Sequence, residues 1–336
     1  METRVFGRTG WEVTEIGFGA WGLSGEWGEQ DDKASIAALH KYLDLGGNFI
    51  DTAQAYGGGK SERIVGQVLK ERSETVYVAT KLPPINGHWA PPSWTPLEKS
   101  FPLDYLEKEV ETSLKNMGVD SIDVYQLHTW CETWNTRDDL FELLEKLKKS
   151  GKVRYVGIST TEGYPECVIP ALKTGVIDSL QLIFNLFEQH PRETLLPLCH
   201  KHHIGVIVRV PFDEASLTGK FKGNESFAKD DFRSIYFRDN NLKHTVERVG
   251  KIKEWAAQHV PGMSLPELVL RWILSHEEVD VVIPGIRTPR HAELNTAPSD
   301  GNRLTDQQMK ELKAFAWRRN PWDEELAPLA PILKIT

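Results

Sequence analysis

No stretch of the chain approaches the roughly 18 continuous apolar residues that a membrane-spanning helix needs, which excludes a helical membrane protein. The first residues, Met1-Glu2-Thr3-Arg4-Val5, carry no apolar signal region, and the expectation is a chain with nothing to cleave. Cysteine is scarce. Cys131, Cys167 and Cys199 are odd in number and form no C-x-x-C, which argues against a disulfide scaffold and fits a reducing compartment, so a cytoplasmic location is expected. Positive charge is also in short supply: a net charge of −8 argues against nucleic acid or an anionic membrane surface as the main partner. No low-complexity linker or break in composition divides residues 1–336, so they read as a single domain. Tryptophan, by contrast, is plentiful. There are 11, and Trp21, Trp27, Trp89, Trp94, Trp130 and Trp134 are among them, several in loop-like stretches where a flat apolar ring can meet a ligand.

The N-terminal Gly7-Arg8-Thr9-Gly10 between short β-type pieces signals a hairpin. Gly17-Phe18-Gly19-Ala20-Trp21-Gly22 matches G-x-G-x-x-G, but its third glycine leads into loop and no acid follows at the required distance. It reads instead as a Gly-rich first strand, with small residues where a ligand approaches. From there, short apolar strands alternate with amphipathic helices. The strands are Asn48–Asp51, Thr75–Thr80, Ile122–Leu127, Val153–Ile158, Ser179–Phe184, Gly205–Val210 and Val279–Ile283. Helices are predicted over Lys33–Leu45, Ser61–Glu71, Leu103–Met117, Asp138–Lys149, Cys167–Lys173 and Thr194–Lys201, then Lys243–Gln258, Leu265–Ser275 and Thr305–Trp317. Eight strands, each followed by helical material, define the α/β class and a (β/α)8 TIM barrel, with an N-terminal β-hairpin and extra helices after strands 7 and 8.

In such a barrel the strand C-termini share one mouth, where chemistry resides. Asp51, Lys81, His128, Ser159 and Arg209 stand at those ends, and Tyr56 lies on the loop after Asp51. A phenol is a weak acid at neutral pH, and a nearby lysine ammonium is expected to lower its pKa and ease proton donation. Asp51 can pair with Lys81, and His128 can donate a hydrogen bond to a carbonyl oxygen. Such a set suits reduction of an aldehyde or ketone. Side chains supply no hydride, so a nicotinamide or flavin cofactor is required. Asp51 and Gln54 also fit a helix capping box, a reading that the convergence of strand ends displaces.

The motifs Gly47-Asn48-Phe49-Ile50-Asp51-Thr52-Ala53, Ala79-Thr80-Lys81, Asp123-Val124-Tyr125-Gln126-Leu127-His128, Val156-Gly157-Ile158-Ser159, Leu217-Thr218-Gly219-Lys220-Phe221 and Ile283-Pro284-Gly285 resemble those of the aldo-keto reductase superfamily, particularly its bacterial members and the related potassium-channel β subunits. The resemblance covers nearly the whole chain. It implies a catalytic tetrad of Asp51, Tyr56, Lys81 and His128, and NADPH as cofactor, with NADH the less favoured form. It also implies that Ala20 and Trp21 approach the nicotinamide ribose, with Asp51 beside them, and that Ser159, Thr160 and Gln181 hold the carboxamide. Arg209 stands where the family usually stacks an aromatic ring. Pro211, Phe212, Asp213, Glu214, Ser216, Leu217, Gly219 and Lys220 are the loop over the pyrophosphate, with Arg233 as a further countercharge. Gly285, Arg287, His291 and Asn295 match the adenosine end, and Arg287 suits a 2′-phosphate because its fork binds phosphate bidentately.

Trp21, Tyr56, Trp89, His128 and Trp130 are expected to face a small-molecule carbonyl substrate, an aromatic or sugar carbonyl suiting such walls, with Trp94, Trp134 and Phe227 as further rim candidates. At least two of the tryptophans are expected to pack helices instead. The run Cys199-His200-Lys201-His202-His203 reads as a helix end rather than a metal site, and no metal is expected. The proline-rich tail, Asn320–Thr336, either folds over the substrate side or lies on the surface. Two other readings stay open: a cofactor-sensing regulatory subunit with little turnover, and a barrel isomerase or lyase using Lys81 as a Schiff base. The oligomeric state is not determined by the sequence.

Overall fold

Residues 1–26, 28–229 and 231–317 are described by the computed structural model; Trp27 and the tail Asn320–Thr336 lie outside the described residues. Strands β1 (Thr3–Val5) and β2 (Glu12–Thr14) pair antiparallel as the N-terminal hairpin. Eight parallel strands follow: β3 (Phe18–Gly19), β4 (Phe49–Asp51), β5 (Tyr77–Leu82), β6 (Ile122–Leu127), β7 (Val153–Ser159), β8 (Ser179–Ile183), β9 (Gly205–Arg209) and β10 (Val281–Val282). Each pairs with its sequence neighbour, and single bridges Ile16–Val282 and Gly19–Gly285 join the last strand to the first. Glycines of the Gly17–Gly22 stretch make room for this closure. A Cβ on Gly19 would lie 2.7 Å from the Ile283 carbonyl, and one on Gly22 would lie 2.8 Å from the Arg287 side chain.

The helices form the outer layer, and their apolar stripes make the main core against the strands. Lys60–Glu71, for example, buries Ile64, Val65 and Val68 at helical spacing. The expected segments agree with these elements to within a few residues, except that the short helix at Cys167 is split into Pro165–Val168 and Ile169–Leu172. Extra helices follow β9, at Arg233–Tyr236 and Asn241–His259, and follow β10, at Asp306–Leu312.

A second, smaller cluster fills the barrel floor. Phe6 and Trp11 of the hairpin pack on the inward residues Phe49, Ala79, Val124, Ile207 and Val281. At this end Asn48, Asp123, Asp178 and Asp280 accept hydrogen bonds from the backbone N–H of Thr14, Val78, Val156 and Val206, at 2.7, 2.9, 3.0 and 2.8 Å. At the starts of β6, β8 and β10 a side chain thus satisfies an orphan donor of the strand before it, and Asn48 ahead of β4 does the same for the hairpin. This fixes the register that brings the opposite ends together.

Candidate active site

At the mouth, β4 ends on Asp51 and β5 carries Lys81 as its penultimate residue, both buried. The Lys81 ammonium donates to Asp51 Oδ1 at 2.6 Å, to the Thr52 carbonyl at 2.8 Å and to Tyr56 Oη at 3.1 Å. Its three donors are therefore used. Asp51 Oδ2 accepts from Gln181 Nε2 at 2.7 Å. Tyr56 reaches this group because Gly57, Gly58 and Gly59 all take positive φ (59°, 58° and 81°), turning the chain sharply before the helix at Lys60. Asp51 caps no helix, and Gln54 hydrogen-bonds Glu109 instead. The His128 ring stands edge-on to Tyr56, centroids 5.8 Å apart, and its Nδ1 is buried without a hydrogen-bond partner among the described residues.

Burial dominates the electrostatics. It pushes the Asp51 carboxyl up and the Lys81 amine down, each opposed by the other's charge across the 2.6 Å pair. It also pushes the Tyr56 phenol well above its ordinary value, with the Asp51 charge acting the same way and Arg209 opposing. The expectation that Lys81 leaves this phenol unusually acidic is therefore corrected. The resting hydroxyl is held protonated, with the Lys81 ammonium 3.1 Å from its oxygen. Burial, with help from Lys81 and Arg209, holds His128 well below its usual range, so its ring is neutral.

Around this group the walls are aromatic. Trp21 lies roughly parallel to Tyr56, 6.0 Å between centroids, and its Nε1 donates to Glu26 at 2.6 Å. Trp89 is exposed and meets His128 edge-on at 4.7 Å. Trp130 does not belong to this wall. It is fully buried, bonds Asn135 through Nε1 at 3.1 Å, and packs on Trp134 and Phe141 beneath the loop. Trp134 is buried beside it, so these two tryptophans pack helices, while Trp94 is exposed. Phe232, not Phe227, reaches Trp21 from the insertion, at 5.4 Å; Phe227 packs on Phe221 and Phe237.

Ala20 is buried between β4 and the helix at Lys60, through Asp51 and Ser61. Ser159, Thr160 and Gln181 are buried at neighbouring strand ends. Arg209 donates to the Thr160 carbonyl at 3.1 Å and pairs with Glu162 at 3.3 Å, so its plane is tethered at the rim. The following loop is strained: Val210, Asp213, Glu214 and Ala215 have φ of 53°, 46°, 52° and 71°. Such conformations cost about 1–3 kcal/mol each and cluster at ligand sites. Asp213 holds the loop by accepting from Ser216 Oγ at 2.5 Å and Tyr236 Oη at 2.8 Å. Pro211 and Leu217 are buried beneath it, Phe212 is half-buried, and the Gly219 carbonyl accepts from Lys253 at 2.6 Å.

Beyond the loop, positive charges gather. Lys220 and His291 are exposed, yet partial desolvation and neighbouring cations push both down, Arg233 and Arg287 acting on Lys220, and Arg287 and Lys220 on His291. Arg233 pairs with Asp231 at 2.5 Å, and Arg287 donates to Gln30 Oε1 at 2.8 Å and the Glu29 carbonyl at 2.7 Å. Asn295 donates to the carbonyl of Gly285, which is exposed. The Cys199–His203 run closes the helix Leu195–Lys201, with His200 and Lys201 in its last turn.

The model of the aldo/keto reductase family matches residues 15–316, and the chain belongs to that family. It is similar to the aldo-keto reductase YhdN of Bacillus subtilis (31% identical, covering 87% of each chain) and to the uncharacterized oxidoreductase YqkF of the same organism (30% identical, 94% of this chain and 96% of that one). Among solved structures, the glycerol dehydrogenase AKR11B4 of Gluconobacter oxydans superimposes with a TM-score of 0.75 at 29% identity, covering 94% of each. On cofactor the relatives divide: yakc of Schizosaccharomyces pombe (28% identical, 90% of this chain and 88% of that one) is named for NADP(+), and a methylglyoxal reductase of Escherichia coli (26%, 88% and 93%) is named NADH-specific. The chain is thus an NAD(P)H-dependent aldo-keto reductase, an oxidoreductase of small carbonyl compounds. Among the described residues no helix is long and apolar enough to cross a membrane.

Several site residues escape sequence reasoning. The Thr52 carbonyl, Glu26, Glu162 and Phe232 are contacts made by loops, with no periodicity to mark them. Glu62 alone left a signal: an acid on the apolar face of an otherwise amphipathic helix.

Proposed function

We propose that the protein reduces an aldehyde or ketone with NADPH, with Tyr56 as general acid. The observation that carries this is the hydrogen bond from the Lys81 ammonium to Tyr56 Oη at 3.1 Å, beside the neutral ring of His128. When bound, the reduced nicotinamide supplies the hydride to the carbonyl carbon. His128 orients the carbonyl oxygen by hydrogen bonding, and Tyr56 delivers its hydroxyl proton to that oxygen. The phenolate left behind is stabilised by Lys81, which Asp51 and the Thr52 carbonyl hold in place, and solvent returns the proton.

The cofactor fit rests on two features. Ser159, Thr160 and Gln181 present buried polar side chains at adjacent strand ends, suited to a carboxamide. Lys220, Arg233 and Arg287 form a cationic cluster in which Asp231 supplies the opposing charge, with the neutral ring of His291 beside it as a hydrogen-bonding group, a set suited to phosphates. That cluster favours NADPH over NADH. Trp21, Trp89 and Phe232 favour an apolar, aromatic or sugar carbonyl as substrate.

The test is Tyr56→Phe, assayed as carbonyl-dependent loss of NADPH absorbance across aldehydes, ketones and sugars. We expect a fall in kcat on the order of 10²–10⁴, with NADPH binding unchanged by fluorescence titration. Retention of activity overturns the assignment of the acid.

A further inference from the structure

Glutamate is almost never fully buried unless it is paired. Glu62 is fully buried, and both of its hydrogen bonds come from neutral groups: Oε1 accepts from Thr80 Oγ1 and Oε2 from Asn116 Nδ2, each at 2.7 Å. It sits in the first turn of the helix Lys60–Glu71, behind β5. Side chains alternate along a strand, so Thr80 points back to this helix while its neighbour Lys81 points into the mouth. Ser61, one residue earlier in the same turn, plays a parallel part. Its Oγ accepts from Thr52 Oγ1 at 2.8 Å and donates to the Ala20 carbonyl at 3.1 Å. Ser61 and Glu62 therefore grip, from behind, the two segments that flank the Lys81 ammonium.

We propose that Glu62 is a positioning residue for carbonyl reduction: through Thr80 it fixes the strand end that carries Lys81, and its buried charge holds Lys81 cationic while Tyr56 gives up its proton. A carboxylate locked in a dry layer behind the strand acts on Lys81 through a low dielectric, with no counterion of its own in contact among the described residues. The groups that face Lys81 are Asp51, Tyr56, Arg209 and His128. Asp51 and Glu62 favour its charge, and Arg209 opposes it. The groups around Glu62 are Thr80, Asn116 and, from β6, Tyr125, near which Tyr105 and Glu109 also lie. Arg209, itself paired with Glu162 at the rim, opposes the Lys81 charge from one side, and Glu62 adds to Asp51 in supporting it from the other.

This rests on the reductase reading, and the two fail differently. Glu62→Gln preserves volume and removes the charge. Its kcat should fall about tenfold, and the basic limb of its kcat/KM pH profile should move down by about one pH unit, because Lys81 and Tyr56 both lose their protons more readily without that negative charge. NADPH affinity, read by fluorescence titration, should stay within about twofold. Thr80→Val keeps the charge and cuts the bond; its kcat should fall several-fold with the basic limb unmoved. A uniform loss of rate in Glu62→Gln with the limb in its wild-type position assigns the residue to packing alone and overturns the proposal. If Glu62→Gln does not fold, Thr80→Val decides: wild-type kcat overturns the proposal, and reduced kcat with unchanged NADPH affinity supports it. Activity surviving in Tyr56→Phe would instead overturn the assignment of Tyr56 as the acid, and no carbonyl consuming NADPH with the wild-type protein would sink the reductase reading beneath it.

Discussion

Replacing Lys81 by methionine removes the ammonium while leaving an unbranched chain of similar volume in a fully buried slot. Two separable effects follow. Asp51, almost fully buried, is left with the Gln181 hydrogen bond to support its charge. Breaking a buried pair by deleting one partner costs about 3–5 kcal/mol. The second effect is kinetic. As Tyr56 loses its proton, negative charge develops 3.1 Å from Nζ. At an effective dielectric constant of about 20, that separation corresponds to about 5 kcal/mol of attraction. Relaxation of the variant, and water entering the gap, recover part of it. A net barrier increase of about 3–4 kcal/mol, or roughly 10²–10³ in kcat, is therefore expected. NADPH consumption gives the kinetic number and chemical denaturation the thermodynamic one. Adding Asp51→Asn removes the stranded charge, so the double variant should be more stable than the sum of the two single losses by at least about 2 kcal/mol, while its activity stays low. Additive stability losses, or kcat of Lys81→Met within tenfold of wild type, would refute the role given to the pair.

Arg287→Ala should weaken NADPH binding about 10- to 100-fold and leave NADH binding nearly unchanged, because only the former carries the 2′-phosphate that the guanidinium fork suits. Fluorescence titration with both cofactors checks it, and equal losses for the two would show that Arg287 serves only its contacts with Gln30 and Glu29. At the barrel floor, burial lifts the Asp280 carboxyl to about 7, against the hydrogen bond from the Val206 N–H. The folded state therefore binds more protons than the unfolded chain between about pH 4 and 7, and stability falls as pH rises through that window. Asp280→Asn keeps an acceptor without the charge, so it should raise stability at pH 8 by about 1–2 kcal/mol and change it little at pH 4. Denaturation midpoints at the two pH values test this; a variant less stable at pH 8 contradicts it.

What could be read from the sequence was whatever depends on strand direction. Parallel strands in one barrel point every C-terminus to the same side, so locating the end of an apolar run was enough to bring Asp51, Lys81 and His128 together. The Lys81 contacts at 2.6 and 3.1 Å follow from that placement plus the turn through Gly57–Gly59. What could not be read was which way a loop side chain faces. Trp89 and Trp130 both lie in stretches rich in proline, glycine or polar residues, yet one stands against His128 and the other is sealed under Trp134 and Phe141. Their difference is made by partners distant in sequence, and no local period encodes it.

The glycines of Gly17–Gly22 show the same ambiguity in a sharper form. They look like ligand glycines because a ligand and a neighbouring strand impose the same demand, the removal of a Cβ. Here the neighbour is the last strand and the loop after it: Gly19 meets the Ile283 and Pro284 carbonyls, and Gly22 meets the stem of Arg287. Closing the barrel at this point has a chemical consequence. It sets Ala20, whose N–H donates to the Asp51 carbonyl at 2.9 Å, against β4, and brings Arg287 across the mouth to the carbonyl of Glu29. The residues matched to the two ends of the cofactor are thus fixed by one seam, so a Cβ added at Gly19 would disturb both ends together rather than either alone.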